Sequence, residues 1–135
     1  MFRTALISFF IICSTVSAST PIVNEDFKLL ASDGASDDCF GWSVSISSDG
    51  TTAIIGAYGN DDNGSDSGSA YIYSLVKGIW QETKLLASDG ASDDCFGWSV
   101  SISSDGTTAI VGARNNGSYS GSAYIYRFDG TTWNE

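Results

Sequence analysis

The chain has 135 residues, of which six are basic and 16 are acidic, and it contains no histidine. Its formal net charge of −10 at pH 7 repels phosphate backbones and acidic membranes, so nucleic acid and anionic lipid are poor partners. The lack of histidine removes the usual general base and the commonest metal ligand, and no nucleophile elbow, phosphate loop or paired-cysteine metal motif is present. The composition therefore predicts a protein that is not an enzyme.

The first 18 residues have the pattern of a secretory signal peptide. Arg3 supplies the positive charge, residues 5–12 form an apolar run too short to span a bilayer, and residues 16–18 fit a cleavage position. We predict cleavage after Ala18, leaving a secreted, extracellular region over residues 19–135 with no membrane span. An uncleaved anchor is the weaker alternative because no second apolar segment follows.

An internal duplication dominates the rest of the chain. Residues 28–54 and 84–110 are identical and begin 56 positions apart, and similarity continues through the segment GSAYIY in both copies. A fixed period of this length is typical of repeat architectures. We therefore predict repeat one over about residues 28–83 and a truncated repeat two over about residues 84–135.

The periodicity inside each repeat is that of β-strands. Residues 40–46 alternate large apolar and small side chains, which places the large ones on one face of a strand and lets another sheet approach the other face closely. The Asp-Gly pair within residues 48–51 predicts a hairpin. Further strands are predicted over residues 52–57, 69–75 and 79–86, with turn residues between them.

Four antiparallel strands per repeat indicate the blades of a β-propeller. The predicted fold class is all-β, with about two blades of an incomplete propeller; a β-solenoid is the structural alternative. Two blades cannot close a ring, and their open edges and apolar faces need covering. We expect further blades in a longer chain, which is the favoured interpretation, or a homo-oligomer.

The loop of residues 59–66 contains three candidate calcium ligands, Asp61, Asn63 and Asp66. Their spacing gives part of the alternating oxygen donors of a calcium loop. A solvated loop is the favoured interpretation, because Asn, Asp and Gly clusters form turns and the matching loop of repeat two has no carboxylate. No cofactor is therefore predicted, with calcium as the alternative.

Two covalent modifications are also candidates. Both long loops carry a glycosylation sequon, at Asn63 and at Asn116, which a eukaryotic secretory pathway modifies. Cys39 and Cys95 occupy the same position in the two repeats, and export permits a disulfide between them. Duplication alone accounts for both cysteines, so the unbridged state is favoured.

A Phe-Gly dipeptide followed by a Gly-Ala dipeptide in each repeat resembles a known family motif. Phe40-Gly41 followed by Gly56-Ala57, and Phe96-Gly97 followed by Gly112-Ala113, resemble FG-GAP repeats. Such repeats build the seven-bladed propeller of integrin α-chains, and the whole pattern is similar to secreted FG-GAP proteins of bacteria and protists. The resemblance implies a propeller and, more loosely, adhesion or recognition outside the cell.

Two departures from the family pattern limit what the resemblance implies. The proline that follows Gly-Ala in the motif is Tyr58 in one copy and Arg114 in the other. The calcium loop of integrin-type repeats is missing ahead of the strand that ends in Gly-Ala, because residues 47–52 hold a single carboxylate. That metal site is not transferred to this chain.

The predicted function is an extracellular binding or adhesion module whose loops meet a protein or a glycan. A self-assembling propeller lectin is the first alternative, in which Trp80 or Trp133 stacks on a sugar; for Trp42 and Trp98 a place in the blade core is favoured. A glycan-active hydrolase with paired carboxylates is the weakest alternative, because no single pair stands out among the acidic turn residues.

Overall fold

The computed structural model describes residues 26–135, which form two four-stranded antiparallel sheets. The predicted signal peptide, residues 1–18, lies outside the described residues. Within residues 26–135, no helix combines the length and the hydropathy that crossing a membrane requires.

Each repeat forms one sheet, and the strands of each sheet lie side by side in chain order. Blade 1 consists of β1 (Ser43–Ile46), β2 (Thr52–Ala57), β3 (Ser69–Val76) and β4 (Ile79–Leu85). Blade 2 consists of β5 (Phe96–Ile102), β6 (Thr108–Ala113), β7 (Ser122–Phe128) and β8 (Trp133–Asn134), with one short helical turn, α1 (Asn116–Tyr119), between β6 and β7. The predicted all-β fold of four-stranded blades is confirmed.

The first hairpin of each blade is closed by an aspartate. Asp49 accepts hydrogen bonds from the Ser47 hydroxyl at 2.6 Å and from the Thr51 amide at 3.0 Å, and Gly50 has a φ of 70°. The Ser47 hydroxyl and the Thr51 groups lower the pKa of the Asp49 carboxyl. Asp105 repeats this arrangement in blade 2, so identical local sequence gives identical turn chemistry.

The cross-strand register divides each blade into two faces. In blade 1, face A carries Ser45, Ile54 and Ile72, which are direct cross-strand neighbours, and face B carries the residues that alternate with them, including Val44 and Ile55. Face A of blade 1 packs on face B of blade 2, and the core between the blades is apolar. Its buried members include Ile54, Ala70, Ile72, Phe96, Val111 and Tyr126.

Small residues allow the two backbones to approach closely at this interface. A Cβ atom added to Gly56 would lie 2.0 Å from the Gly97 carbonyl oxygen. The hydroxyl of Ser43 accepts a hydrogen bond from the Val100 amide at 3.0 Å, and the hydroxyl of Ser45 accepts one from the Ile102 amide at 3.2 Å. The predicted close approach of a second sheet to the small-residue face is confirmed.

The blades meet along their inner strands, and their loops divide between two rims. Contacts between the sheets are concentrated where β5 lies against β1 and β2. Antiparallel order places the long loop after β2 and the connection after β4 at one end of the blade, which we call the upper rim. The tight hairpins at residues 48–51 and 77–78 lie at the opposite end, the lower rim.

Candidate binding site

An aromatic cluster lies at the upper rim, beside the inner strands. We call it the aromatic rim; its residues are Trp42, Tyr58, Trp98 and Arg114. The Trp42 and Trp98 ring centroids are 5.1 Å apart, and the Tyr58 ring centroid lies 5.1 Å from that of Trp42 and 4.8 Å from that of Trp98. The Arg114 guanidinium carbon lies 4.4 Å from the Trp98 centroid, a distance at which a cation is attracted to the ring face.

The repeat explains how these side chains converge. Trp42 immediately precedes β1, and Trp98 is its counterpart in β5. Tyr58 and Arg114 each follow a Gly-Ala pair at the end of the second strand of a blade. Each blade therefore contributes one tryptophan and one variable residue, and blade packing sets them side by side.

The predicted core position is wrong for Trp42, whose side chain is 55 % exposed. Trp98 is half-buried. Alternation correctly placed Trp42 on face B, but that face of blade 1 is covered only in part by residues 26–135. The aromatic rim presents ring faces and a guanidinium, which suit stacking on sugars or apolar side chains and hydrogen bonding to acceptor oxygens.

The two cysteines flank the aromatic rim as free thiols. The exposed Cys39 thiol donates a hydrogen bond to the Tyr58 hydroxyl at 3.4 Å, and this contact is the largest cause of the raised Tyr58 pKa. Cys95 is buried, and burial raises the pKa of its thiol. The unbridged state of Cys39 and Cys95 stays a prediction.

Trp80 and Trp133 lie on the outer strands and line two equivalent grooves. The Trp80 groove has a volume of about 510 Å³ and is also lined by Phe27, Tyr73 and Glu82. The Trp133 groove, of about 430 Å³, lies between the blades and includes Thr83. The Trp80 indole nitrogen is buried and has no hydrogen-bond partner among residues 26–135. Sugar stacking at these tryptophans stays a prediction.

One asparagine secures each long loop, Asn60 buried in blade 1 and Asn116 half-buried in blade 2, and the sequence did not single out this role. Asn60 accepts a hydrogen bond from the Ser69 hydroxyl at 2.8 Å and donates one to Asp38 at 3.5 Å. Asn116 does the same with Ser122 at 2.7 Å and Asp94 at 3.0 Å. Two signals could have revealed the pair: each asparagine lies four residues after a Gly-Ala glycine, and each is one repeat period from the other.

Because Asn116 is equivalent to Asn60, the two sequon asparagines, Asn63 and Asn116, lie in different environments. Asn63 is exposed, so its amide nitrogen is open to modification. The amide nitrogen of Asn116 is half-buried and already donates to Asp94. Glycosylation of either residue stays a prediction, and the geometry favours Asn63.

The candidate calcium loop is held by its own hydrogen bonds. The Asp61 carboxylate accepts a hydrogen bond from the backbone N–H of Asp66 at 2.8 Å, and the backbone N–H of Asn63 donates one to the Ser67 hydroxyl at 3.1 Å. Across residues 26–135, no group of three or more acidic, cysteine or histidine side chains converges on a metal position. Calcium binding stays a prediction.

A lysine joins two carboxylates beside this loop. Lys84 forms ion pairs with Asp33, at 2.6 Å, and with Asp62. The Tyr71 hydroxyl donates to Asp33 at 2.9 Å, and burial raises the pKa of Tyr71 to about 12. The Lys84 hydrogen bond is the largest influence on Asp33 and holds its pKa below the usual value. The Asp33 and Asp62 carboxylates are therefore held in ion pairs with Lys84. The hydrolase alternative stays a prediction, with no particular pair of carboxylates assigned to it.

Comparison with known families matches both repeats. A family model described as FG-GAP repeat matches residues 23–73 and 80–126, well over half of the chain. Each matched segment covers the first two strands and most of the third strand of one blade, and the second segment also includes most of β4 of blade 1. No curated protein matches the chain significantly.

Proposed function

Because the chain belongs to the FG-GAP repeat family, we propose that it is an extracellular binding module whose aromatic rim contacts a protein or a glycan. The observation that carries the proposal is the grouping of three aromatic rings and one guanidinium at an accessible rim. Tryptophan, tyrosine and arginine are the residues most enriched among those that dominate binding energy at interfaces.

The position of the aromatic rim supports this role. Loops held on a rigid sheet scaffold commonly carry binding residues, and the blade cores beneath Trp42 and Trp98 are packed by buried apolar side chains. The rings themselves are in contact with one another, so little side-chain freedom is lost when a ligand covers them.

A truncation of Trp42 tests the proposal. The purified protein is applied to a glycan array and to immobilised extracellular-matrix proteins, and Trp42→Ala is compared with the intact chain on every surface that binds. We expect binding to weaken at least about tenfold, the effect of losing one dominant interface residue.

The matched control is Lys77→Ala, which removes an exposed side chain in the lower-rim turn, away from both the aromatic rim and the grooves. We expect Lys77→Ala to change binding by less than about twofold. Equal losses in the two variants, or unchanged binding in Trp42→Ala, would contradict recognition by the aromatic rim.

Glycan binding in the outer grooves is the second candidate function. It is supported by the tryptophan that lines each groove, since an indole ring beside a cavity can stack on a sugar. On the same glycan array, loss of binding in Trp80→Ala and Trp133→Ala with retention in Trp42→Ala would assign recognition to the grooves. The reverse pattern would reject them.

A further inference from the structure

A small polar pocket lies at the upper rim of blade 2, beside the aromatic rim. It has a volume of about 150 Å³ and lies between the connection that follows β4 and the long loop that follows β6. This is about half the lower limit for pockets that hold drug-sized ligands, about 300 Å³, so the pocket suits a group no larger than a single sugar ring. The residues that line it are Ser92, Asp93, Asp94, Asn115, Ser118 and Tyr119.

Hydrogen bonds connect this pocket with the aromatic rim. The Arg114 guanidinium that lies over the Trp98 ring donates a hydrogen bond from Nε to the side-chain oxygen of Asn115 at 3.2 Å. The side-chain nitrogen of Asn115 donates in turn to the backbone carbonyl of Asp93 at 2.9 Å. The pocket and the aromatic rim therefore form one continuous surface that a single ligand can cover.

Only some polar side chains of the pocket are used by the protein itself. The Asp94 carboxylate accepts a hydrogen bond from the Asn116 side chain at 3.0 Å. Across residues 26–135, by contrast, the side chains of Asp93, Ser118 and Tyr119 form no hydrogen bond, and all three are exposed. A carboxylate accepts hydrogen bonds, and a hydroxyl both donates and accepts them, so these three side chains are available to a ligand that carries hydroxyl groups.

An unusual backbone conformation places two of these side chains at the pocket. Gly117, Ser118 and Tyr119 follow one another with φ of 66°, 61° and 69°, a left-handed conformation that is unfavourable for residues with a Cβ atom. Strain of this kind is concentrated at functional sites. It leaves the Tyr119 side chain 80 % exposed, and the corresponding loop of blade 1, residues 59–67, contains no tyrosine.

The charges around the pocket favour a neutral ligand. The carboxylates of Asp93 and Asp94 repel an acidic group, and the guanidinium of Arg114 at the edge of the pocket repels a basic one. A neutral sugar is repelled by neither. Its hydroxyls match the hydrogen-bonding groups of the pocket, and its apolar ring face matches the aromatic ring of Tyr119.

We propose that this pocket binds a neutral terminal sugar of a glycan whose following sugar lies on the aromatic rim. Asp93 accepts hydrogen bonds from the sugar hydroxyls, Ser118 donates one, and the Tyr119 ring packs on the sugar. This inference rests on the proposed function of the upper rim and deepens it, because it names a neutral glycan as the ligand.

A binding comparison tests the pocket. The purified protein is applied to an array of neutral and acidic glycans and to immobilised, deglycosylated extracellular-matrix proteins, and calorimetry then measures Kd for the neutral glycan that binds most tightly. We expect binding to neutral glycans. Tyr119→Ala, which removes the ring, and Asp93→Asn, which removes the charged acceptor, should each raise Kd at least about tenfold. Asparagine tolerates the positive φ of Asp93, so Asp93→Asn keeps the backbone unchanged.

Asp37→Asn is the matched control. Asp37 is the counterpart of Asp93 in blade 1, has the same exposed side chain and a φ of 70°, and does not line the pocket. We expect it to change Kd by less than about twofold.

The outcomes separate this inference from the proposed function. Unchanged glycan binding in Tyr119→Ala and Asp93→Asn overturns the inference, as does an equal loss in Asp37→Asn or binding to acidic glycans alone. Binding only to the deglycosylated proteins, lost in Trp42→Ala, overturns the inference and leaves recognition by the aromatic rim intact. A protein that binds none of these surfaces overturns both.

Discussion

The close approach of Gly56 and Gly97 predicts a large difference between two chemically identical substitutions. In Gly56→Ala the new methyl group would lie 2.0 Å from the Gly97 carbonyl oxygen, which is backbone and cannot rotate away. Gly97 itself has a φ of +88° and lies against the Ser69 carbonyl, so it has little room to move. Overpacking of this kind costs about 1–3 kcal/mol, and we expect Gly56→Ala to lower the free energy of unfolding by about 2 kcal/mol.

Gly112→Ala is the internal control, because Gly112 occupies the same motif position on the open face of blade 2. Its new methyl group would meet only the Ser99 hydroxyl within 3 Å, and a serine side chain can change rotamer. Reduced freedom of the unfolded chain offsets the small cost, so the expected change is within about 1 kcal/mol.

Urea denaturation followed by tryptophan fluorescence measures the free energy of unfolding of both variants. With a slope of about 2 kcal/mol/M, Gly56→Ala should lower the urea midpoint by about 1 M. Equal midpoints for the two variants would refute the argument that these glycines serve contact between blades.

Two further predictions follow from the upper rim. In unglycosylated protein, Asn60→Ala should lower the free energy of unfolding by about 2 kcal/mol, because it leaves the buried Ser69 hydroxyl without its acceptor. Asn63→Ala, at the exposed sequon, should change it by less than about 0.5 kcal/mol. Urea midpoints compare the two variants, and equal effects would contradict the role of Asn60. The pKa of Asp33 is lower in the folded state than in the unfolded chain, where it is about 3.9. Its ion pair with Lys84 therefore stabilises the fold above about pH 4, and this contribution is lost as the pH falls through the folded-state pKa. The stability difference between the intact chain and Asp33→Asn should therefore shrink below about pH 4, and a difference independent of pH would exclude this ion pair as its source.

The strands could be predicted from the sequence because the position of each strand depends on local signals. Alternation in residues 40–46 and the Asp-Gly hairpin fixed the positions of β1 and β2. The same alternation does not predict whether a face of the sheet is buried, because burial of that face depends on another blade packing against it. Trp42 therefore has the pattern of a core residue and the exposure of a surface residue. Its partners, Tyr58 and Arg114, are distant in sequence and became apparent only from the packing.

The long loops were harder to predict because they differ by three residues. The sequons suggested a likeness between Asn63 and Asn116, each of which begins an Asn-Gly-Ser triplet. Hydrogen bonding instead aligns Asn116 with Asn60, since both secure an aspartate and a serine. A triplet is recognised from three adjacent residues, whereas these contacts join residues between six and 22 positions apart. The two sequon asparagines therefore do not occupy equivalent positions in the two blades.

The departure from the family motif supports recognition at the aromatic rim. The two repeats are identical from the first Lys-Leu-Leu to the strand that ends in Gly-Ala, except for Ile55 and Val111 near its end. They first diverge on the surface at Tyr58 and Arg114, where the family motif has proline. A proline there would supply neither the ring that contacts both tryptophans nor the guanidinium over Trp98. The substitution therefore gives the two blades different chemistry at the same place on the rim, an aromatic ring from blade 1 and a cation from blade 2.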